Sequence, residues 1–279
     1  MTMQNEKFKV KNSRGQSACT AGCFALLTVF SLVFCSCDRG PTSEQKAKPM
    51  SKEEIKAKIM EKDAQPSAEA SARKEKSIVK LKQKNIPMIQ HLPVIEDSQT
   101  AKKRTKEEIA HRAIALCLVA VKGEGLEQAT VQKLIEQYGA QDYFSPAEKR
   151  FMENPTPTQQ DRVQFSWRYE DYWVMLWTLG YVETLDYPDK VCDVPKAIKF
   201  LHDNTTEGFI AKAKLRDLSE ILDEADLIYR YDWAAVNARL KKQETPASLD
   251  AGVVMERHHA LNWLIGYMDQ EWDDVTTDT

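Results

Sequence analysis

The run Tyr172-Trp173-Val174-Met175-Leu176-Trp177-Thr178-Leu179-Gly180-Tyr181-Val182 carries no formal charge over eleven residues and contains two tryptophans. It follows directly on the charged tetrapeptide Arg168-Tyr169-Glu170-Asp171. A membrane-spanning helix needs about 20 apolar residues, so this run is too short to cross a bilayer. It is also too apolar for a surface helix. The pattern therefore predicts the centre of a buried helical core.

Start and stop signals on both sides of this run predict seven or eight helices. Thr105 and Ser145 each stand three residues before a Glu, the spacing of a capping box, and Ser145 is followed by Pro at the first helical position. The helices are predicted near residues 105–121, 126–138, 146–153, 159–179, 194–202, 209–215, 217–242 and 253–268. The sequence has no alternating strand pattern, so residues 104–279 are predicted to form a single all-α domain.

Composition and charge both divide the chain near Arg104. All six Trp and all nine Tyr follow this residue. Residues 1–103 contain 19 Lys+Arg and 11 Asp+Glu, a net of +8, whereas residues 104–279 contain 20 and 31, a net of −11. A segment without large apolar side chains gains too little on folding to offset its entropy, so residues 37–103 are predicted to be a disordered tether. The acidic charge of the folded part argues against binding to nucleic acid.

Residues 1–36 have the layout of an export signal, with a positively charged start followed by an uncharged stretch over residues 15–37. The stretch ends Leu32-Val33-Phe34-Cys35-Ser36-Cys37 and resembles the lipobox of bacterial lipoproteins. In that family the Cys after a small residue is lipidated and becomes the new N-terminus. Cys37 fits this pattern because Ser36 precedes it. The resemblance implies a lipid anchor on Cys37.

Two departures from the lipobox, Phe34 and Cys35, keep other interpretations open. The 23 uncharged residues could stay as an uncleaved membrane helix, since they suffice to span about 30 Å of hydrocarbon. A cleaved, soluble exported protein is the third interpretation. We expect a lipid-anchored protein of the bacterial cell envelope that faces the periplasm or the exterior. Asp38, directly after the lipid Cys, favours the inner membrane by the enterobacterial sorting pattern.

Only Cys117 and Cys192 lie outside the N-terminal segment. Cys117 shares an apolar helical stripe, which is typical of an inert buried thiol. A disulfide between the two residues is the alternative in an oxidising compartment.

Four charged or titratable residues interrupt the apolar stripes of the predicted helices. They are Glu170 in the central helix, Asp226 in the long helix, and Arg257 and His258 in the last helix. A buried charge must be paired or shift its pKa, so we expect these four residues to meet. They form either a structural polar core that fixes helix packing or a polar pocket for a ligand or for acid–base chemistry.

The segment Glu256-Arg257-His258-His259 contains one Glu-x-x-His motif. Di-metal helical bundles use two such motifs with two further Glu, so a single copy is a weak signal and we predict no metal site. Without a metal, Glu256 and His259 are expected at a helix surface or beside capping neighbours. No sequence motif predicts a cofactor. Trp272 is expected to dock the C-terminus while the acids beside it stay in water.

A further set of motifs occurs in a fixed order over residues 104–279. They are Ser145-Pro146-Ala147-Glu148, Trp167-Arg168-Tyr169-Glu170 with Trp173 and Leu176-Trp177, Cys192-Asp193, Leu215-Arg216, Glu220-Ile221-Leu222-Asp223, Trp233-Ala234, Glu256-Arg257 through Leu264, and Trp272-Asp273-Asp274-Val275. Together they resemble the bacterial domain-of-unknown-function family 4272. The resemblance implies a mostly helical domain found in many bacteria, and it supplies no catalytic residues.

Two functional hypotheses follow from these observations. In the first, the chain is a lipid-anchored, non-enzymatic module that binds another protein or a small molecule at the cell envelope. In the second, it is an enzyme of hydrolase type that uses Glu170 or Glu256 together with His258 or His259.

Overall fold

The structure is a computed structural model that describes residues 53, 54, 57, 60 and 65–279. The predicted export signal over residues 1–36 and the proposed lipidation site Cys37 lie outside the described residues. So does most of the first half of the predicted tether.

Residues 65–279 contain ten α-helices and three short 3-10 helices, and no β-strand. The α-helices are α1 (Ala68–Gln83), α2 (Lys106–Gly123), α3 (Gln128–Tyr138), α4 (Pro146–Glu153), α5 (Gln159–Ser166), α6 (Arg168–Thr178), α7 (Val194–His202), α8 (Thr206–Lys212), α9 (Leu218–Leu240) and α10 (Ala251–Ile265). The 3-10 helices are Pro246–Ser248, Tyr267–Asp269 and Trp272–Asp274. The predicted all-α class is confirmed. Among these helices, none is both long and apolar enough to cross a membrane.

Capping residues set the helix ends as the sequence predicts. Thr105 and Ser145 both form complete capping boxes, in which the hydroxyl accepts from the backbone of a Glu that reaches back to the cap N–H. Asp193 caps α7 by accepting from the Lys196 N–H at 3.1 Å. Gly139 ends α3 with a φ of 58°, a left-handed conformation that Gly adopts without a steric penalty.

The predicted central helix over residues 159–179 is divided at Trp167 into α5 and α6. The Ser166 hydroxyl donates to the Val163 carbonyl at 2.8 Å, a local bond that competes with the helical ladder. The neighbouring α2 approaches closely here, since a Cβ at Gly123 would lie 2.8 Å from the Ser166 nitrogen. The division, together with the unpredicted α1, raises the number of helices from eight to ten.

The uncharged run forms α6, which packs against both α2 and α10 at the centre of the domain. Tyr172, Val174, Met175 and Leu176 are completely buried. The Tyr172 hydroxyl donates to the Ala197 carbonyl at 3.1 Å, so its one polar atom is satisfied in the core. Helix α10 packs also along α9, and α1 packs against α9.

The prediction of a disordered tether over residues 37–103 is wrong for residues 68–103. Helix α1 buries Leu81 completely, and the Arg73 Nε donates to Asp223 on α9 at 3.1 Å. Further along, Arg230 of α9 donates to the Pro93 carbonyl at 3.3 Å. The buried face of α1 is small and partly polar, comprising Ala70, Arg73, Ser77, Ile78 and Leu81. Composition underrates such a face because the paired arginine counts as a surface residue.

Both cysteines of the described chain, Cys117 and Cys192, are free and buried. They do not form the alternative disulfide. Burial raises the pKa of the Cys117 thiol to about 12, in line with an inert core side chain.

Candidate functional site

Glu170 and Arg257 meet in the core, as the interrupted stripes predict. The Arg257 Nε of α10 donates to the Glu170 Oε2 of α6 at 3.1 Å, and its Nη1 donates to the Asp186 carbonyl at 2.7 Å. The other oxygen of Glu170 accepts from the Cys192 N–H at 2.5 Å. This pair therefore ties two core helices to the loop that precedes α7.

Asp226 and His258 are buried too, but they bind other partners. Asp226 accepts two hydrogen bonds from Arg230 one turn further along α9, at 2.7 and 2.9 Å. His258 places its Nδ1 2.9 Å from the Asp232 Oδ2. The expected single cluster of four residues is thus divided into three pairs, because opposite charges on α9 are nearer than the other members of the set. The stripe pattern misses Arg230 and Asp232.

A second group of four residues does converge, and we call it the Arg168 cluster: Arg168, Asp171, Glu256 and His259. The Arg168 Nη1 donates to Asp171 Oδ2 at 3.1 Å and to Glu256 Oε2 at 2.6 Å. The His259 Nδ1 lies 2.9 Å from Asp171 Oδ1. Asp171 is 0% exposed and Glu256 is 7% exposed. Of the two expectations for Glu256 and His259, a helix surface is wrong for buried Glu256, and both side chains instead have neighbours that satisfy them.

Burial alters the ionisation of both carboxyl groups of the cluster. Both side chains accept a hydrogen bond from the Arg168 Nη1, so they lie beside one guanidinium nitrogen. Burial, together with the neighbouring Asp171, raises the pKa of Glu256 to about 8. Burial also raises the pKa of Asp171. Glu256 therefore keeps its proton at neutral pH.

His259 is neutral at pH 7 because burial, and then the positive charge of Arg168, lower its pKa to about 4. The cluster thus brings together two carboxyl groups, of which Glu256 has a pKa of about 8, and a neutral imidazole. These are the groups that general acid–base chemistry uses.

The indole of Trp272 covers the cluster. Its ring meets His259 edge-on at 4.5 Å and Trp263 edge-on at 5.5 Å between centroids. The guanidinium carbons of Arg112 and Arg168 lie 4.6 and 5.9 Å from its ring centroid. Trp272 is 5% exposed, which confirms the prediction that it docks the C-terminus. The acid–base groups are consequently closed off by the end of the chain.

An additional ion pair lies beside the cluster at the start of α4. The Arg112 Nη2 donates to the Glu148 Oε2, which also accepts from the Ser145 N–H at 2.9 Å. From the C-terminal segment, the Asp273 carboxylate accepts from the Ser145 hydroxyl at 2.5 Å and from the Ala147 N–H at 2.8 Å. Asp273 is exposed as a residue, yet its carboxylate is held by α4.

Two cavities found in the described part of the molecule lie elsewhere. One of 790 Å³ is lined by the start of α1, by residues 94–102 and by the turn after α10. One of 210 Å³ lies between α1, α9 and residues 185–188, and Arg257 lines it. Glu256 and His259 line neither cavity. Within residues 65–279 and the four described positions before them, no group of three His, Cys, Asp or Glu side chains could hold a metal ion.

The sequence gives one signal for this cluster that stripe analysis does not use. Arg168 and Asp171 are opposite charges three residues apart, and they border the uncharged run directly. Charges in that position are buried with their helix and need partners from another element. Glu256 and His259 of α10 supply those partners.

One of three comparisons with known proteins shows the family. The sequence model of the family described as Domain of unknown function (DUF4272) matches residues 73–275, more than half of the chain. No curated protein and no solved structure matches. The match begins inside α1 and ends just after Trp272, so it includes every residue of the Arg168 cluster. The chain therefore belongs to the DUF4272 family.

Proposed function

We propose that this protein is a membrane-anchored, non-enzymatic binding module of the bacterial cell envelope. Support for the anchor comes from the sequence alone, namely the export-signal layout of residues 1–36 and the small residue before Cys37. A lipid on Cys37 would leave a segment of nearly thirty residues, up to residue 65, between the membrane and the described part of the domain.

We favour binding over catalysis because the Arg168 cluster is closed. Its acid–base groups bind one another, and Trp272 covers them. An active site needs its reactive groups within reach of a substrate, whereas a structural ion-pair network needs them satisfied and dry. In two other buried pairs, Glu170 with Arg257 and Asp226 with Arg230, each carboxylate likewise binds a buried arginine of the same domain.

Anchoring and binding are tested together in a bacterium that processes lipoproteins. Full-length protein and a Cys37→Ser control are labelled with a palmitate analogue, cross-linked in intact cells, solubilised in detergent and purified. We expect lipid label, membrane fractionation and a specific cross-linked partner for the wild type, and loss of label for Cys37→Ser. An unlabelled wild type, or cross-linked species identical to those of an untagged strain, would refute the proposal.

An enzyme of hydrolase type is the second candidate. One observation favours it: Glu256, with a pKa raised to about 8, lies in the same hydrogen-bonded group as neutral His259. The hydrolase hypothesis predicts that the full chain turns over a model ester, amide or glycoside and that the Glu256→Gln variant does not. Hydrolysis that persists unchanged in Glu256→Gln would exclude this site as its source.

A further inference from the structure

The C-terminal segment contacts the rest of the domain at two points that resemble peptide recognition. Trp272 inserts its ring among two guanidinium groups and two aromatic rings, and Asp273 places its carboxylate on the start of α4. Buried aromatic and arginine contacts of this kind provide most of the binding energy in protein interfaces. We call the position of the Trp272 ring the aromatic site and the position of the Asp273 carboxylate the acidic-residue site.

The acidic-residue site lies at the N-terminus of α4, where backbone N–H groups have no partner within the helix. The Asp273 carboxylate accepts hydrogen bonds from the Ala147 N–H and from the hydroxyl of the cap residue Ser145. The Glu148 carboxylate accepts one from the Ser145 N–H. The first N–H groups of a helix have no partner within the helix and carry a partial positive charge, so they favour an anion. An acidic side chain from any chain could occupy this position.

Some buried polar atoms around the aromatic site have no hydrogen-bond partner while Trp272 fills it. Arg112 Nε and Glu148 Oε1 have no hydrogen-bond partner among the described residues, although Arg112 is 6% exposed and Glu148 is 1% exposed. The Arg168 Nε beneath the same ring is also without one. Each such atom loses its hydrogen bonds to water on burial and gains none in return. These unsatisfied atoms make the docked tail less stable than its contacts alone would make it.

We infer that this surface is a recognition site for an aromatic–acidic peptide, occupied in the isolated chain by its own residues Trp272 and Asp273. The partner is a protein segment that presents a Trp next to an Asp and displaces the tail. This inference rests on the proposed binding function and names the chemistry of its partner.

The turn before the tail contains two residues in a strained backbone conformation, which favours release of the tail. Met268 and Asp269, between α10 and Trp272, have φ of 52° and 54°, which is unfavourable for residues with a Cβ. In this region the Cβ crowds the neighbouring carbonyl oxygen, and release of the tail would relieve that strain. The bonds that hold the tail further along, such as Asn262 Nδ2 to the Thr276 carbonyl at 2.8 Å, must break at the same time.

A tethered segment competes strongly with a free one. The effective concentration of a tail on a short link is on the order of millimolar, so a free peptide of equal intrinsic affinity is mostly excluded. Removal of the tail should therefore strengthen binding of a Trp-Asp peptide by about 100-fold or more.

The test uses a dye-labelled peptide of residues 270–279 and the full chain cut after Asp269. Fluorescence anisotropy should show binding to the shortened chain and at least about 100-fold weaker binding to the wild type. Peptides carrying Trp272→Ala or Asp273→Asn should bind at least about 10-fold more weakly than the unchanged peptide. Equal binding to both chains, or equal binding of all three peptides, would overturn the inference.

A second variant covers the case in which the shortened chain does not fold alone. The full-length double variant Trp272→Ala, Asp273→Asn keeps the rest of the tail, and it should bind the unchanged peptide more tightly than the wild type does. If neither variant binds the peptide, or if unfolded variants do not regain helical circular dichroism on its addition, the inference is wrong. That result would leave lipid labelling and cross-linking untouched, so the proposed function would be judged separately.

Discussion

Several buried charges in this domain form ion pairs with hydrogen bonds of specific geometry. Such pairs add little net stability, because removing two charges from water offsets most of their attraction. Breaking a pair is different, since it leaves one buried charge without a partner. The Glu170–Arg257 pair is the clearest example, because the two residues come from different helices and both are buried.

Glu170→Gln is expected to destabilise the domain by about 3–5 kcal/mol, because Arg257 keeps its charge and loses its carboxylate. The matched control is Glu220→Gln, which removes an exposed pair with Arg216 and should cost less than about 1 kcal/mol. Urea unfolding followed by circular dichroism measures both. A Glu170→Gln variant as stable as the control would show that the buried pair is absent.

Stability should fall as pH rises from about 6.5 to about 8. In this window folded Glu256, with a pKa of about 8, keeps a proton that the unfolded chain, with an ordinary pKa of 4.5, has lost. The folded state then binds more protons, so the free energy of unfolding decreases with pH. His259 acts in the opposite direction only between its folded pKa of about 4 and its ordinary pKa of 6.5.

Glu256→Gln removes this proton, so its free energy of unfolding should decline less between pH 6.5 and 8 than that of the wild type. Chemical denaturation at half-unit intervals of pH gives the comparison. Parallel curves for the two proteins would mean that Glu256 titrates as an exposed acid.

The helices show which parts of a fold local sequence determines. Caps at Thr105, Ser145 and Asp193 place helix starts correctly, because their hydrogen bonds lie within four residues. The division at Trp167 and the packing of α1 depend on contacts with distant elements. Gly123 against Ser166, and Arg73 with Asp223, have no local signature, so the sequence could not predict either feature.

Helix α1 is expected to be part of the cooperative unit. Leu81→Ala should cost about 2–5 kcal/mol, because Leu81 is 0% exposed and its removal leaves a cavity. Val79→Ala on the same helix is the control, since Val79 is 50% exposed, and its effect should stay within about 0.5 kcal/mol. Similar losses from both substitutions, measured by thermal and urea unfolding, would mean that α1 does not pack on α9.

For the whole molecule, the sequence predicts a single helical body with buried charges but not how those charges pair. Periodicity identifies a residue on an apolar face, yet it contains no information on which helix lies opposite. Of the four residues expected to meet, Glu170 and Arg257 contact each other, whereas Asp226 and His258 bind partners on α9. The Arg168 cluster combines α6, α10 and the C-terminal segment, so only the packed molecule reveals it.

The central claim is that the folded molecule closes its acid–base cluster beneath Trp272. Histidine modification by diethyl pyrocarbonate, mapped by mass spectrometry on the intact protein at pH 7, tests it with an internal control. Exposed His91 and His202 should react rapidly, while His258 and His259 stay protected until the protein unfolds. Modification of His259 in the folded protein at the rate of His202 would contradict the claim.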